Sequence, residues 1–198
     1  MILRIHNNKL YSNLRKSVQF LLNFRNYIKS FMFFSNTILI DIDSNNFYFI
    51  FFSLKNYSFF KYDTLLNMFC SDNFSLNSFF IYYNLMSSKY NNRIFIRVNV
   101  PKNMIMPSLT SLYLSSNWLE REIWDFFGIF FRNHNDLRRI LTDYGFDGNP
   151  LLKNYPVVGF FECMYDLNAK SVIYTFLEES QEIRWYKFQS PWEKSFSF

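Results

Sequence analysis

Four side chains past the middle of the chain are of the types that hold metal ions or transfer protons. Glu120, Glu122, Asp125 and His134 could be proposed as the carboxylate–histidine site of a metal-dependent enzyme. Glu120 and Glu122 are two residues apart, however, and a helix places such residues about 160° apart around its axis. The two Glu cannot share one ion unless the helix is distorted. We therefore expect no metal site, and a metal-dependent enzyme is kept only as an alternative.

A helix is the element that must position these side chains. Asn117 is a suitable N-cap, Glu120 three residues later completes a capping-box pattern, and Gly128 supplies the left-handed residue that ends a helix. Arg121 and Asp125 are four residues apart on the polar face, a spacing typical of a local ion pair. The opposite face is an apolar stripe of Leu119, Ile123, Phe126, Phe127 and Phe130. The pattern predicts one amphipathic helix that begins near Asn117 and ends at Gly128.

Motifs for a cofactor are missing from the sequence. It contains no glycine-rich dinucleotide fingerprint, no Walker loop and no G-x-S-x-G nucleophile elbow. Its two cysteines, Cys70 and Cys163, are far apart, whereas an iron–sulfur cluster held by thiolates requires four. We therefore expect that this chain binds no cofactor and contributes no catalytic residue.

The spacing of the charged residues after the helix start is unusually specific. Glu-Arg-Glu at 120–122 is followed by two residues, Asp125, two bulky apolar residues, six residues and His134. Three further residues then precede Arg138, and one more precedes Ile140-Leu141. This string resembles the signature of the 30-kilodalton subunit of respiratory NADH:ubiquinone oxidoreductase (complex I). The resemblance extends over roughly residues 37 to 193, and it is strongest from residue 107 onward.

The resemblance implies a scaffold subunit of the hydrophilic arm that has no redox centre of its own. Its partners would be the 49-kilodalton subunit, which together with a neighbouring subunit frames the quinone site, and other subunits of that arm. It would lie on the matrix side of the mitochondrial inner membrane. The implied signature and interface residues are Glu120, Arg121, Glu122, Asp125, Gly128, His134, Arg138 and Arg139.

Composition and charge leave a second class open. The 27 Phe and 14 Tyr, with only four Gly, indicate an A/T-rich genome such as that of an organelle. The net charge of +5 is compatible with an RNA-binding organellar ribosomal protein, although the basic residues are scattered rather than clustered. No run of apolar residues is long enough for a transmembrane helix.

The order of predicted elements, β-α-β-β-β-α, indicates an α+β fold in which helices pack on a small mixed or antiparallel sheet. The predicted strands lie at 37–43, 64–70, 78–86 and 93–100, and a short helix at 108–115 precedes the signature helix. The helix after the first strand has Phe47, Ile50, Phe51 and Leu54 at helical spacing; its Phe and Tyr content favours a strand, so this prediction rests partly on the resemblance. We predict a basic N-terminal helix in residues 1–36, with its helical pattern at 8–34, and the α+β domain in residues 37–141. We expect residues 142–198 to form an extended tail that binds a partner through aromatic side chains such as Trp185 and Trp192; the alternative is that the tail folds back on its own domain. Residues 160–165 and 171–177 pair as a hairpin in this tail.

Overall fold

The computed structural model describes residues 27–34, 37–177 and 186 of the 198-residue chain. One sheet contains β1 (Ile28–Phe34), β2 (Thr37–Asp43), β3 (Thr64–Asn73), β4 (Ser78–Ser87) and β5 (Asn92–Pro101). The helices are α1 (Phe47–Asn56) and α2 (Ser116–Phe127). The remaining strands are β6 (Met106–Pro107), β7 (Phe131–Arg132), β8 (Phe161–Asp166) and β9 (Ser171–Phe176).

The five-stranded sheet is mixed, with the strand order β1-β2-β5-β4-β3. Within this sheet, β2 and β5 pair in parallel, and the other neighbouring strands pair antiparallel. The chain between β2 and β5 contains α1, β3 and β4. Both described helices pack on the same face of this sheet. The predicted α+β architecture is therefore confirmed, as are the strands β2 to β5 and the helix α1.

The core lies between that face and the helices. Alternate residues of the central strands point into it, among them Ile40, Ile81 and Ile96, each at most 1% exposed. Phe51 of α1 lies at the centre, with its ring 4.6 Å from that of Phe47 and 4.9 Å from that of Tyr83. These aromatic contacts fasten α1 to β4.

The other face of the sheet has an ion pair at its middle. Asp41 of β2 and Arg97 of β5 are directly paired in the parallel ladder. Arg97 donates from Nε to Asp41 Oδ1 at 2.6 Å and from Nη2 to Oδ2 at 2.7 Å, and the Ser30 hydroxyl donates to the same carboxylate. The guanidinium also lies over the ring of Phe80. Side chains of β1, β2, β4 and β5 are thus tied together across this face.

Two predicted helices differ from the structure. Residues 28–34, predicted as the end of the N-terminal helix, form β1, because hydrogen bonds along β2 outweigh a weak helical pattern. The remainder of that predicted helix lies outside the described residues. A short helix expected at 108–115 is only a turn around Leu109 to Tyr113, since Ser108 N–H donates to Arg132 O beside the β6–β7 pair.

The chain divides into two compact units, residues 1–155 and 156–198. Residues 142–155 thus belong to the first unit, whereas the sequence had placed the boundary after residue 141. The second unit contains the predicted hairpin as β8 and β9, paired from Phe161–Phe176 to Asp166–Ser171. Trp185 and Trp192 lie outside the described residues.

We expect Phe51→Ala to lower the free energy of unfolding by about 3–5 kcal/mol, because it leaves a cavity at the α1–β4 contact. Urea unfolding of the full-length chain measures this. The matched control is Phe52→Ala, whose ring is 49% exposed and whose loss should cost less than about 1 kcal/mol. Equal losses of stability in the two variants would contradict the burial of Phe51 between α1 and β4.

Candidate functional site

Glu120 is buried in the structure, although the sequence placed it on a polar face. Its Oε2 accepts a hydrogen bond from the Ser108 hydroxyl at 2.6 Å, and its Oε1 accepts one from Leu109 N–H at 2.7 Å. The predicted capping box is therefore wrong. Helix α2 begins at Ser116, its N-cap Ser115 makes no side-chain cap bond, and the Glu120 carboxyl turns inward. It fastens the segment after β6 to the helix.

Burial determines the titration of Glu120. Removal from water raises the pKa of its carboxyl from 4.5 to about 7, and the hydrogen bonds from Ser108 and Leu109 offset only part of this rise. His134 Nε2 lies 4.0 Å from Glu120 Oε2. Because His134 Nδ1 accepts from Asp136 N–H at 3.1 Å, Nε2 carries a proton and donates to Asn117 O, also at 3.1 Å. His134 thus joins the segment after β7 to the start of α2.

Asp125 is also fully buried, and its surroundings are different. Its Oδ2 accepts backbone hydrogen bonds from Ile140, Leu141 and Thr142 at 3.2, 2.8 and 2.9 Å. Its Oδ1 accepts from the Thr142 hydroxyl at 2.5 Å and from Arg139 Nη1 at 3.2 Å. Burial alone would raise the pKa of Asp125, but these hydrogen bonds, first that of the Thr142 hydroxyl, lower it below its usual value.

Arg139 also binds the segment that follows α2. Besides its bond to Asp125, it donates from Nη1 to the Thr142 hydroxyl at 3.3 Å and from Nη2 to Gly148 O at 2.8 Å. Its guanidinium carbon lies 5.9 Å from the centre of the Phe146 ring. The charge of Arg139 is therefore used within the domain, to hold residues 139–148 against α2.

The other predicted charges have local partners or none. The expected Arg121–Asp125 pair is wrong, because Arg121 Nε donates to Arg138 O at 3.1 Å and Asp125 binds the 139–142 segment. Arg138 makes an exposed pair with Asp136, Nε to Oδ1 at 2.8 Å. Glu122 is half-buried and makes no hydrogen bond or ion pair with the described part of the chain.

The end of α2 confirms the prediction for Gly128 and adds a residue that the sequence did not reveal. Gly128 has φ +74°, and its N–H donates to Trp124 O at 2.9 Å. Asn149 Nδ2 donates to Asp125 O at 2.9 Å and to Trp124 O at 3.3 Å, so it satisfies two terminal carbonyls of the helix. A Cβ on Gly128 would lie 2.8 Å from Asn149 Oδ1.

Ser108, Thr142 and Asn149 are thus site residues that sequence reasoning missed. Thr142 directly follows the Ile-Leu that ends the signature, so its position was a usable signal. Ser108 and Asn149 meet α2 only through the fold, and no spacing in the sequence indicates them. Within the described residues, no group of three or more His, Cys, Asp and Glu side chains is placed to hold a metal ion.

Comparisons with known proteins identify the family. A profile of the family described as respiratory-chain NADH dehydrogenase, 30 Kd subunit, matches residues 40–161, more than half of the chain. The chain belongs to this family. NADH-ubiquinone oxidoreductase subunit 9 of Acanthamoeba castellanii is 46% identical over 162 residues, which are 81% of this chain and 82% of the relative. The predicted resemblance is confirmed, and the ribosomal alternative has no support from these relatives.

A solved structure supports the fold. The trypsin-resistant fragment (1–134) of Nqo5 superposes with a TM-score of 0.52 at 24% identity. The superposition covers 63% of this chain and 99% of that fragment. At this level of identity the likeness shows only that the two chains share a fold.

One relative is named as an iron–sulfur protein. NADH dehydrogenase [ubiquinone] iron-sulfur protein 3 of Oryza sativa subsp. japonica is 47% identical over 116 residues, 59% of this chain and 61% of that protein. The residues of this chain do not fit a cluster held by it alone. It has two Cys and two His in total, and both ring nitrogens of His134 are engaged in hydrogen bonds.

No helix among those that the structure describes has both the length and the apolar character needed to cross a bilayer.

We expect Asp125→Ala to lower the free energy of unfolding by roughly 3 kcal/mol, because it removes the acceptor of buried backbone N–H groups and leaves Arg139 unpaired. Hydrogen exchange of the amides of residues 140–142 should accelerate most. Glu122→Ala on the same helix is the control and should change stability by less than about 0.5 kcal/mol. Unchanged exchange at 140–142 would show that Asp125 does not hold this segment.

Glu120 should make stability depend on pH between 4.5 and about 7. Over this range the folded state retains a proton that the unfolded state has lost, so stability falls as the pH rises. Glu120→Gln does not titrate. Its unfolding free energy relative to wild type should therefore increase by roughly 3 kcal/mol from pH 4.5 to pH 8, as measured by urea unfolding. A difference that stays constant with pH would refute this assignment.

Proposed function

We propose that this chain is a non-catalytic structural and assembly subunit in the hydrophilic arm of mitochondrial NADH:ubiquinone oxidoreductase. It supports the interface of the quinone module while electrons pass from NADH to ubiquinone in other chains. Its partners are the 49-kilodalton subunit and other subunits of that arm. It is peripheral to the inner membrane, on the matrix side, and it holds no cofactor.

The observation that carries this proposal is the use of the signature side chains. Glu120, Asp125, His134 and Arg139 direct their hydrogen bonds to backbone and side-chain groups of their own domain. A catalytic acid, base or ligand must be able to reach a substrate. Side chains that are buried and already bonded instead determine the shape of a surface, which is the task of a scaffold.

The β8–β9 hairpin favours a protein partner for the second unit. One of its faces consists of Phe161, Cys163 and Tyr165, opposite Phe176, Tyr174 and Val172. All six residues are exposed. A two-stranded hairpin is at best marginally stable in water by itself, and aromatic side chains are enriched in protein interfaces. We infer that this face packs against another subunit.

The test is a native gel of detergent-solubilised mitochondrial membranes, stained for NADH oxidation and probed for this chain. We expect the chain in the NADH-oxidising band. Migration with ribosomes, or as a free small protein, would contradict the proposal.

Arg121→Ala separates a scaffold from a catalytic role. The substitution removes the bond to Arg138 O, so we expect less assembled complex but normal NADH oxidation per assembled particle. Normal assembly with a loss of turnover would mean that Arg121 acts in the reaction.

A further inference from the structure

The segment that follows the signature is held by hydrogen bonds, while several of its large apolar side chains stay exposed. Asp125 holds residues 140–142, Leu151 N–H donates to Phe126 O at 3.2 Å, and Lys153 N–H donates to Asp72 Oδ2 at 3.1 Å. Leu141 and Leu151 nevertheless remain 59% and 52% exposed. Backbone hydrogen bonds to buried acceptors thus position this segment, and its large side chains stay available at the surface.

The tip of this segment, Asp143–Gly148, has a defined conformation. Phe146 N–H donates to Asp143 O at 3.2 Å, and Gly145 between them has φ +73°, which a type II turn requires. Phe146 turns inward, with its ring 5.9 Å from that of Tyr155 and beneath Arg139. Tyr144 turns outward and is 100% exposed. The fold therefore fixes the backbone of a tyrosine that contributes nothing to the core.

The charged side chains around Tyr144 indicate which kind of surface it contacts. Asp143 and Asp147, on either side of it in sequence, are exposed and make no ion pair within the described chain. The two nearby cations are already paired, Arg138 with Asp136 and Arg139 with Asp125. The tip therefore presents a phenol ring beside two uncompensated carboxylates. Such a surface repels anionic lipid headgroups and nucleic acid phosphates, and it attracts Lys and Arg side chains.

We propose that the Asp143–Gly148 tip is a docking element that places Tyr144 on a basic surface of a partner protein. Tyr is among the residues most enriched at binding hot spots, and a prepositioned backbone reduces the entropy lost on association. This inference rests on the proposed function, because the assembled enzyme supplies the partner, but it names the residues and the charge of the contact.

The first experiment replaces the chain in vivo with full-length Tyr144→Ala. The fraction of the chain found in the NADH-oxidising band of a native gel is then compared with that of wild type. We expect a decrease of about tenfold or more, as for loss of a hot-spot side chain. The thermal unfolding midpoint of the purified full-length chain should stay unchanged, because the ring is 100% exposed and buries no apolar surface. Tyr144→Phe, which keeps the ring, should retain most of the wild-type fraction.

Phe74→Ala is the matched control. Phe74 also lies at a turn, is 65% exposed, and has Lys102 Nζ 5.9 Å from its ring centre. Its replacement should leave the assembled fraction at the wild-type level. An equal loss with Phe74→Ala and Tyr144→Ala would show a general sensitivity to exposed aromatic residues and would overturn the assignment to this tip.

The double substitution Asp143→Lys and Asp147→Lys tests the charge of the partner. We expect a larger loss of the assembled fraction than with the double Asn variant. A fraction equal to or above wild type would overturn the basic partner surface, since it would indicate a neutral or acidic one, or a lipid headgroup.

The outcomes also separate this inference from the proposed function. Absence of the wild-type chain from the NADH-oxidising band would overturn the proposed function. Presence of wild type and of Tyr144→Ala in equal amounts would overturn only the docking element.

Discussion

The Asp125 carboxylate is the group on which the arrangement around α2 depends. It is fully buried, and it accepts five hydrogen bonds from residues 139–142: three backbone N–H groups, one hydroxyl and one guanidinium. A buried carboxylate is costly unless donors surround it, and these backbone amides would be equally costly without an acceptor. Each side therefore holds the other in place, and the chain after the signature must follow the helix.

Glu120, on the same helix, shows how surroundings rather than residue type determine the behaviour of a buried acid. It has a hydroxyl and one backbone amide as donors, and His134 Nε2 lies 4.0 Å from its Oε2. Desolvation therefore dominates and raises its pKa, whereas the many donors around Asp125 lower that of the aspartate. One carboxyl thus joins α2 to the chain before it, and the other joins α2 to the chain after it.

The segment after the signature exposes several large side chains at the surface of the domain. Hydrogen bonds to Asp125, Asp72 and the end of α2 position residues 139–153, and among its apolar side chains Phe146 and Leu152 turn toward the domain. Leu141, Tyr144 and Leu151 face outward. An ordinary loop would bury such residues or lack them. The charged signature is used here for hydrogen bonds within the domain, and these bonds position the exposed segment.

The sequence by itself determined the family, the α+β class, strands β2 to β5, helix α1 and the end of α2 at Gly128, because these follow from local periodicity, turn residues and a spaced string of charges. Only the tertiary structure decided where the charges point. Helical spacing placed Glu120 and Asp125 on a polar face opposite the core, but residues 108–109 and 139–142 cover them there. Likewise, residues 28–34 form a strand because β2 offers them an edge. A periodic pattern reports which face of a helix is polar, but not whether another part of the chain will bury that face with its own donors.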